Sequence, residues 1–341
     1  MPNSNLFFLP EKVNEWVGYK NLRDGKSEIS QKYRADLEQL WKTWDRYADT
    51  HFRSECQQSE EKFNQRFWEM YLGVKLLEQK KTIQSKDIGP DICLIQNGKK
   101  IWIEAITPGA GQQGNPNSVS PVFYEEIKYC SETGEALPLT ERGGTLSIFE
   151  NPVRLRYLSA IRDKYCSIDK VRKRRGLVPY LAKGIIERDE QVIIAVNSGN
   201  IDQEAPGCMP VILKVCFGLG DYQIHLSHNR QTGETKTTGT SYARRDTAIK
   251  VTKAVPELEI NSAIFLAPMY PHISAILFSY AKLGRVPFGG ELMLIHNPFA
   301  KNPLPHRLLK DCQDVWLTDI KIEEGIIVEA TTNFSSLSAA E

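Results

Sequence analysis

The 341-residue length, the net charge of +1 and the hydrophobic content of 41% exclude two classes of protein. A chain with this share of apolar residues can bury a sizeable core, so it is not an intrinsically disordered protein. No apolar run approaches the roughly 20 residues of a membrane-spanning helix. Because the net charge is close to zero, any nucleic-acid contact must come from a local group of basic residues.

The cysteines and the first residues of the chain indicate a compartment. Seven cysteines are scattered without any C-x-x-C pair, as is typical of reduced thiols and not of a disulfide framework or a zinc knot. The first 16 residues lack the basic region and the long apolar run of a signal peptide. We therefore expect a cytoplasmic protein with no membrane contact.

Two stretches near the N-terminus have apolar residues at helical spacing. The first predicts an amphipathic helix from Ile29 to about His51, and a polar segment follows it. The second, residues 62–79, is apolar around most of its circumference and contains Glu69. Buried acids are rare unless they are paired or bound to a metal. Glu69 is therefore a functional candidate, and a core salt bridge is the alternative.

The middle of the chain alternates between strands and a helix. A short extended piece at Thr82–Gln84 precedes two apolar runs on either side of an Asn-Gly pair. Residues 110–150 are rich in Gly, Pro, Asn and Ser, and predict a long excursion or lid. A helix should begin at Asn151-Pro152 and end at Gly176, and residues 191–199 read as a buried strand. This order predicts an α/β fold with a mixed sheet flanked by helices.

The C-terminal part gives a weaker pattern. Three apolar runs, at residues 263–268, 274–279 and 291–298, predict further strands, and residues 227–246 predict a polar loop. We divide the chain into an N-terminal helical segment (1–57), a core (58–200) and a C-terminal α/β extension or second subdomain (201–341). The sequence does not decide between the last two.

The Asn97-Gly98 pair brings two acids together. Asn-Gly is the strongest short signal for a two-residue type I′ turn, because both residues tolerate positive φ. With that turn, Gln96 pairs with Lys99, and Asp91 and Glu104 then lie opposite each other on the same face. Two like charges about 5 Å apart repel by roughly 1 kcal/mol in water and about 3 kcal/mol at an effective dielectric of 20.

A divalent cation between the two carboxylates would turn that repulsion into binding. Hard oxygen ligands favour Mg²⁺, Mn²⁺ or Ca²⁺ over zinc. The alternative is that both acids point to solvent or to arginines, and a one-residue slip in register would place them on different faces.

The chain from about Glu60 to Gly199 resembles the PD-(D/E)XK, or restriction-endonuclease-like, nuclease superfamily. Pro90-Asp91 matches the PD element, and Glu104-Ala105-Ile106 falls at the (D/E)-X-K position. Glu69 matches an acid that many members carry on their first helix. The resemblance implies a restriction-endonuclease-like αβββαβ core and Mg²⁺-dependent phosphodiester hydrolysis, with Mn²⁺ as a substitute. It also implies that Asp91 and Glu104 ligate the metal, and that Glu69 does so directly or through water.

The motif lysine is replaced by Ile106. In the superfamily that lysine is thought to orient the attacking water and to offset negative charge in the transition state. Some members carry the lysine on the helix after the third strand, and that helix offers Lys164 here, with Arg154 and Lys170 as further choices. The alternative for Lys164 is a rim lysine that stretches its stem over apolar surface. Thr107 or a backbone carbonyl near Ala105 could complete the metal shell.

Basic residues at the end of the same helix could hold a nucleic-acid backbone. They are Lys170, Arg172, Lys173, Arg174 and Arg175, with Arg154 near the helix start. Cations also serve as ordinary complements to a helix C-terminus. His296 and His306, like the other histidines near the apolar strands and turns, read as core or turn residues rather than as zinc ligands.

These observations predict a Mg²⁺-dependent nuclease that acts on DNA, in defence against foreign DNA or in repair. Its catalytic residues would be Glu69, Asp91, Glu104 and Lys164. The alternatives are an inactive nuclease-like fold that binds nucleic acid or a partner protein, and an enzyme that hydrolyses another phosphate ester. The sequence does not determine whether the chain forms homo-oligomers.

Overall fold

A computed structural model gives the structure of most of the chain. It describes residues 6–84, 89–112, 114–119, 122–126, 143–147, 150–166, 176–201, 209–220, 222–228, 232–242, 248–251, 258–284 and 292–335.

Eight strands form one mixed sheet through the centre of the described structure. In spatial order they are β1 (Thr82–Gln84), β2 (Ile92–Gln96), β3 (Lys99–Ile106), β6 (Gln191–Asn197), β11 (Ala275–Ser279), β12 (Leu292–His296), β13 (Cys312–Glu323) and β14 (Ile326–Phe334). The first three strands are antiparallel, and β3, β6 and β11 run parallel to one another. β12 and β13 run parallel to each other and opposite to β11, and β14 reverses direction again. Strands from residues 201–341 therefore continue the sheet that residues 58–200 begin.

Helices cover both faces of this sheet. α1 (Val17–Asp24), α2 (Glu28–Trp44), α3 (Phe52–Cys56) and α4 (Glu60–Glu78) pack into one apolar core, and a 3₁₀ turn (Asp45–Tyr47) follows α2. α5 (Glu150–Tyr165), α6 (Leu177–Ala182) and α7 (Val211–Phe217) pack into the core on the other face. The prediction of an α/β fold with a mixed sheet flanked by helices is confirmed. None of the helices in the described part of the chain is long and apolar enough to cross a bilayer.

Two hydrogen bonds define how α4 begins and how it is held against the sheet. The hydroxyl of Ser59 accepts a hydrogen bond from the backbone N–H of Lys62 and so caps the helix N-terminus. The buried indole of Trp68 donates a hydrogen bond of 2.9 Å to the carbonyl of Ala195 in β6. An indole N–H that is buried needs such a partner, so this bond fixes the rotation of α4. That rotation determines where Glu69, the next residue, can point.

The β2–β3 hairpin has the predicted turn and register. Asn97 and Gly98 have φ values of 51° and 77°, as a type I′ turn requires. Gln96 pairs with Lys99 and Ile92 with Ile103. Asp91 lies one position before the first of these pairs, beside Glu104.

Three two-stranded sheets lie apart from the central one. They are β4 (Val122–Glu126) with β5 (Gly143–Ser147), β7 (Tyr222–His228) with β8 (Thr235–Tyr242), and β9 (Ala248–Val251) with β10 (Leu258–Asn261). The β7–β8 hairpin corrects the prediction of a polar loop at 227–246. The described side chains of this hairpin are exposed, and exposed strands can be as polar as loops. Polarity alone therefore could not distinguish a strand from a loop.

The predicted strand at residues 263–268 is wrong. Residues 263–266 of this segment are buried, but the segment forms turns. The backbone N–H groups of Ile264 and Phe265 donate to the carbonyls of Val215 and Cys216, each over 2.9 Å. The segment thus satisfies carbonyls at the end of α7, which have no partner within the helix. A short apolar run does not distinguish such a buried turn from a strand.

Candidate active site

The hairpin places Glu104 and Asp91 at the ends of two neighbouring strands. Glu104 is the antepenultimate residue of β3, and its side chain is 14% exposed. The Asp91 carboxylate accepts a hydrogen bond of 2.8 Å from the backbone N–H of Ala105. This bond holds Asp91 against β3, next to Glu104. The structure therefore brings the two predicted acids to one place in the sheet.

Lys164 reaches the same place from α5. Its ammonium contacts Oε1 of Glu104. Burial alone would lower the pKa of Lys164, but attraction to Glu104 and to Asp91 outweighs it and raises the pKa above its usual value. Lys164 is therefore a charged ammonium at neutral pH. By contrast, Ile106 is 4% exposed and packs in the apolar core on the α5 side.

Glu69 lies behind the pair, on α4. Its side chain is buried, and Oε2 accepts a 2.7 Å hydrogen bond from Arg66. Burial and the charge of Asp91 raise the pKa of Glu69 to about 8, while Arg66 lowers it. Arg66 is itself shared with Glu55 at 2.8 Å and Asp49 at 3.1 Å. One arginine therefore serves three acids and compensates only part of the charge on Glu69.

Gln65 also contributes to the site, although no motif in the sequence predicted it. Its side chain donates a hydrogen bond to the carbonyl of Ala105 and accepts one from the N–H of Thr107, both at 2.9 Å. These two bonds hold the end of β3 against α4. Its position in the sequence could have identified it, because Gln65 lies four residues before Glu69 and so shares its helix face.

A small cleft adjoins the lysine–glutamate contact. Pro90, Tyr180 and Leu177 line it together with Glu104 and Lys164. Its volume is about that of one water molecule.

The three acids do not converge on a single point. In the described part of the chain, one group of three His, Cys, Asp or Glu side chains has its ligand atoms within 4.8 Å of one another, and it is His296, His306 and Asp314. Glu69, Asp91 and Glu104 are spread more widely than this. A metal at this site would therefore touch two carboxylates at most in this arrangement and reach the third through water, which suits Mg²⁺ because this ion keeps several of its waters.

Of the predicted nucleic-acid contacts, the structure describes Arg154. Arg154 is 2% exposed, and its guanidinium donates to Ser262 in the interior. A phosphate cannot reach a side chain buried to this extent, so Arg154 does not fit the predicted contact with DNA. Lys170, Arg172, Lys173, Arg174 and Arg175 lie outside the described residues.

Comparisons with known proteins leave the family open. No protein-family model matches this chain, and the searches of curated proteins and of solved structures find no match either. Any functional assignment therefore depends on the site itself.

Proposed function

We propose that this chain is a metal-dependent nuclease that hydrolyses phosphodiester bonds of DNA. The observation that carries the proposal is the contact between Lys164 and Glu104. It supplies a cation beside the acid pair, at a site where Ile106 cannot provide one. Acids with a neighbouring lysine form the charge pattern that phosphodiester hydrolysis needs, because negative charge increases on the phosphate in the transition state.

The order of elements around the site supports the same proposal. α4 is followed by β1, β2 and β3, and after the separate β4–β5 pair by α5; α6 then precedes β6, which pairs parallel with β3. With β4, β5 and α6 left out, this order matches the αβββαβ core expected of restriction-endonuclease-like proteins. Glu69 comes from the first helix, Asp91 and Glu104 from the second and third strands, and Lys164 from the second core helix.

The donor atoms fit Mg²⁺, or Mn²⁺ in its place. All three candidate ligands are carboxylates, which hard cations prefer, and Arg66 compensates the buried Glu69 only in part. Asp91 and Glu104 would hold the metal, with Glu69 reaching it through water. When bound, the metal would polarise the phosphate and lower the pKa of a bound water.

The protein groups have separate tasks in this proposal. The Ala105 N–H holds the Asp91 carboxylate in place, and Gln65 holds the strand end that carries both Ala105 and Glu104. Lys164 contacts Glu104 before DNA binds. With DNA bound, its ammonium would lie close enough to the phosphate to offset the developing charge.

Cleavage of supercoiled plasmid DNA tests the proposal. Wild-type protein should nick or linearise the plasmid with Mg²⁺ or Mn²⁺ and should be inactive with a chelator. Glu104→Gln keeps the side-chain shape and should lower the rate by about 100-fold or more, because it removes one charged ligand. Glu187→Gln alters an exposed acid that does not line the cleft and is the matched control. Equal cleavage by wild type and Glu104→Gln would reject the assignment.

An inactive nuclease-like fold is the second candidate. The burial of Ile106 at the position of the motif lysine favours it. Calorimetric titration with Mn²⁺ separates the two. Binding that is lost in Glu104→Gln supports the enzyme, whereas a silent titration with retained DNA binding supports the inactive fold.

A further inference from the structure

A second group of ligand-type side chains lies at the far side of the sheet. His296 is the last residue of β12, Asp314 is the third residue of β13, and His306 lies in the loop between these strands. Oδ2 of Asp314 is 3.3 Å from Nε2 of His296 and 3.9 Å from Nδ1 of His306. The two imidazole rings have their centroids 4.6 Å apart.

Asp314 has an unsatisfied oxygen in this cluster. The residue is 1% exposed. Oδ2 accepts a hydrogen bond of 2.6 Å from the N–H of Arg307, but the buried Oδ1 has no hydrogen-bond partner. A buried carboxylate oxygen without a partner is costly unless a cation or a donor satisfies it. This oxygen leaves the Asp314 carboxylate able to accept a bond from a cation.

We propose that His296, His306 and Asp314 form a binding site for a transition-metal ion of the Zn²⁺ class. Tetrahedral bonds of about 2.0–2.2 Å place ligand atoms roughly 3.3–3.6 Å apart. The separations of 3.3 and 3.9 Å from Asp314 are close to these values, and the three ligand atoms all lie within 4.8 Å of one another. Two imidazoles with one carboxylate favour Zn²⁺, Co²⁺ or Ni²⁺ over Mg²⁺ and Ca²⁺, which prefer oxygen.

The exposure of the ligands indicates where a further ligand would enter. His296 and Asp314 are buried, whereas the side chain of His306 is 56% exposed. Three protein ligands leave the fourth position of a tetrahedral ion open. That position would face solvent on the side of His306, so a water or a small anion could occupy it.

This site is distinct from the Glu104 cleft. Ile295 and Val315, the neighbours of His296 and Asp314 in β12 and β13, face α5. Because side chains alternate along a strand, His296 and Asp314 lie on the other face of the sheet, where α4 packs. Glu104 lies three strands away from β12 in the sheet, on the α5 face. Three strand spacings correspond to about 14 Å. The zinc-class site therefore does not depend on the nuclease proposal.

Zinc titration of the full-length chain tests the proposal. The protein should be free of affinity-tag histidines, stripped with a chelator, and kept in excess Mg²⁺ to occupy the carboxylate site. We expect one Zn²⁺ per chain by calorimetry and a higher melting temperature with Zn²⁺. Asp314→Asn, which retains an acceptor for Arg307, and His306→Ala should each weaken binding at least about tenfold, since even the loss of an outer-shell partner weakens metal sites by about 10- to 100-fold.

Two controls keep the result specific. His228→Ala removes an exposed histidine on a separate hairpin, and Glu104→Gln alters the other site. Both should bind Zn²⁺ as the wild type does. If the wild type binds no Zn²⁺, the cluster is only a hydrogen-bonded contact between His296 and Asp314 and the proposal is wrong. It is equally wrong if Asp314→Asn and His306→Ala bind with unchanged affinity. Circular dichroism of each variant distinguishes lost ligands from lost folding.

Discussion

The ammonium of Lys164 contacts the carboxylate of Glu104 across 60 positions of the chain. One residue belongs to the last turn of α5 and the other to β3, two elements that meet only because the helix packs on the sheet. Ile106, two residues after Glu104, completes the apolar core beneath that helix. Ile106, at the position of the motif lysine, therefore contributes to packing, while Lys164 on the helix supplies the cation.

Replacing Lys164 tests whether this cation serves catalysis. Lys164→Met keeps the apolar stem and should lower the rate of Mg²⁺-dependent plasmid cleavage by about 100- to 1,000-fold, as expected for the loss of one group that stabilises transition-state charge. Mn²⁺ affinity, measured by calorimetry, should stay the same or increase, because Glu104 loses its competitor for the metal. Lys183→Met, an exposed lysine, is the control. Normal cleavage by Lys164→Met would show that the lysine is only a rim residue.

Glu69 should make stability depend on pH when no divalent cation is present. Its pKa is about 8 in the folded protein, whereas an unfolded glutamate has a pKa of about 4.3. Between these values the folded state holds a proton that the unfolded state has lost, so the free energy of unfolding falls as the pH rises through this window. Glu69→Gln lacks this dependence and should become more stable, relative to wild type, as the pH rises.

Urea unfolding with a chelator at pH 5.5 and pH 8 measures that difference. Each pKa unit corresponds to about 1.4 kcal/mol, so the advantage of Glu69→Gln should increase by at least roughly 1 kcal/mol over this range. Glu78→Gln, an exposed acid on the same helix, should show no such change. An advantage of Glu69→Gln that does not vary with pH would mean that Glu69 is ionised throughout.

Gln65 should contribute to stability through the end of β3. Gln65→Ala removes the partners of the Ala105 carbonyl and the Thr107 N–H. An unsatisfied buried backbone group costs about 1–3 kcal/mol, so the free energy of unfolding should fall by about that amount. Gln31→Ala, an exposed glutamine on α2, is the control for a lost side chain. Equal stability of the two variants would contradict the bracing role.

The sequence predicted the parts of this site that depend on local rules. Asn97-Gly98 determined the hairpin register through turn geometry, and that register placed Asp91 next to Glu104. Helical periodicity placed Glu69 in a buried helix, and Lys164 beside the apolar stripe of α5. Each of these inferences needed only neighbours within a few residues.

Longer-range pairing explains what the sequence missed. The hydrogen bonds from Gln65 to β3 cross about 40 residues, and the His296–Asp314 contact depends on two parallel strands joined by a loop. Neither has a local pattern. Residues 263–268 show the same limit, because their apolar side chains fill the core while their backbone bonds to α7. Arg154 resembles a surface cation in sequence, and only the packing of α5 shows it to be buried.

The rate of Mg²⁺-dependent plasmid cleavage by Asp91→Asn tests the central claim most directly. Asparagine can still accept the hydrogen bond from Ala105, so the fold should persist while the charge is lost. We expect cleavage slower than wild type by about 100-fold or more, with an unchanged circular dichroism spectrum in chelator. Cleavage at the wild-type rate by folded Asp91→Asn protein would contradict it.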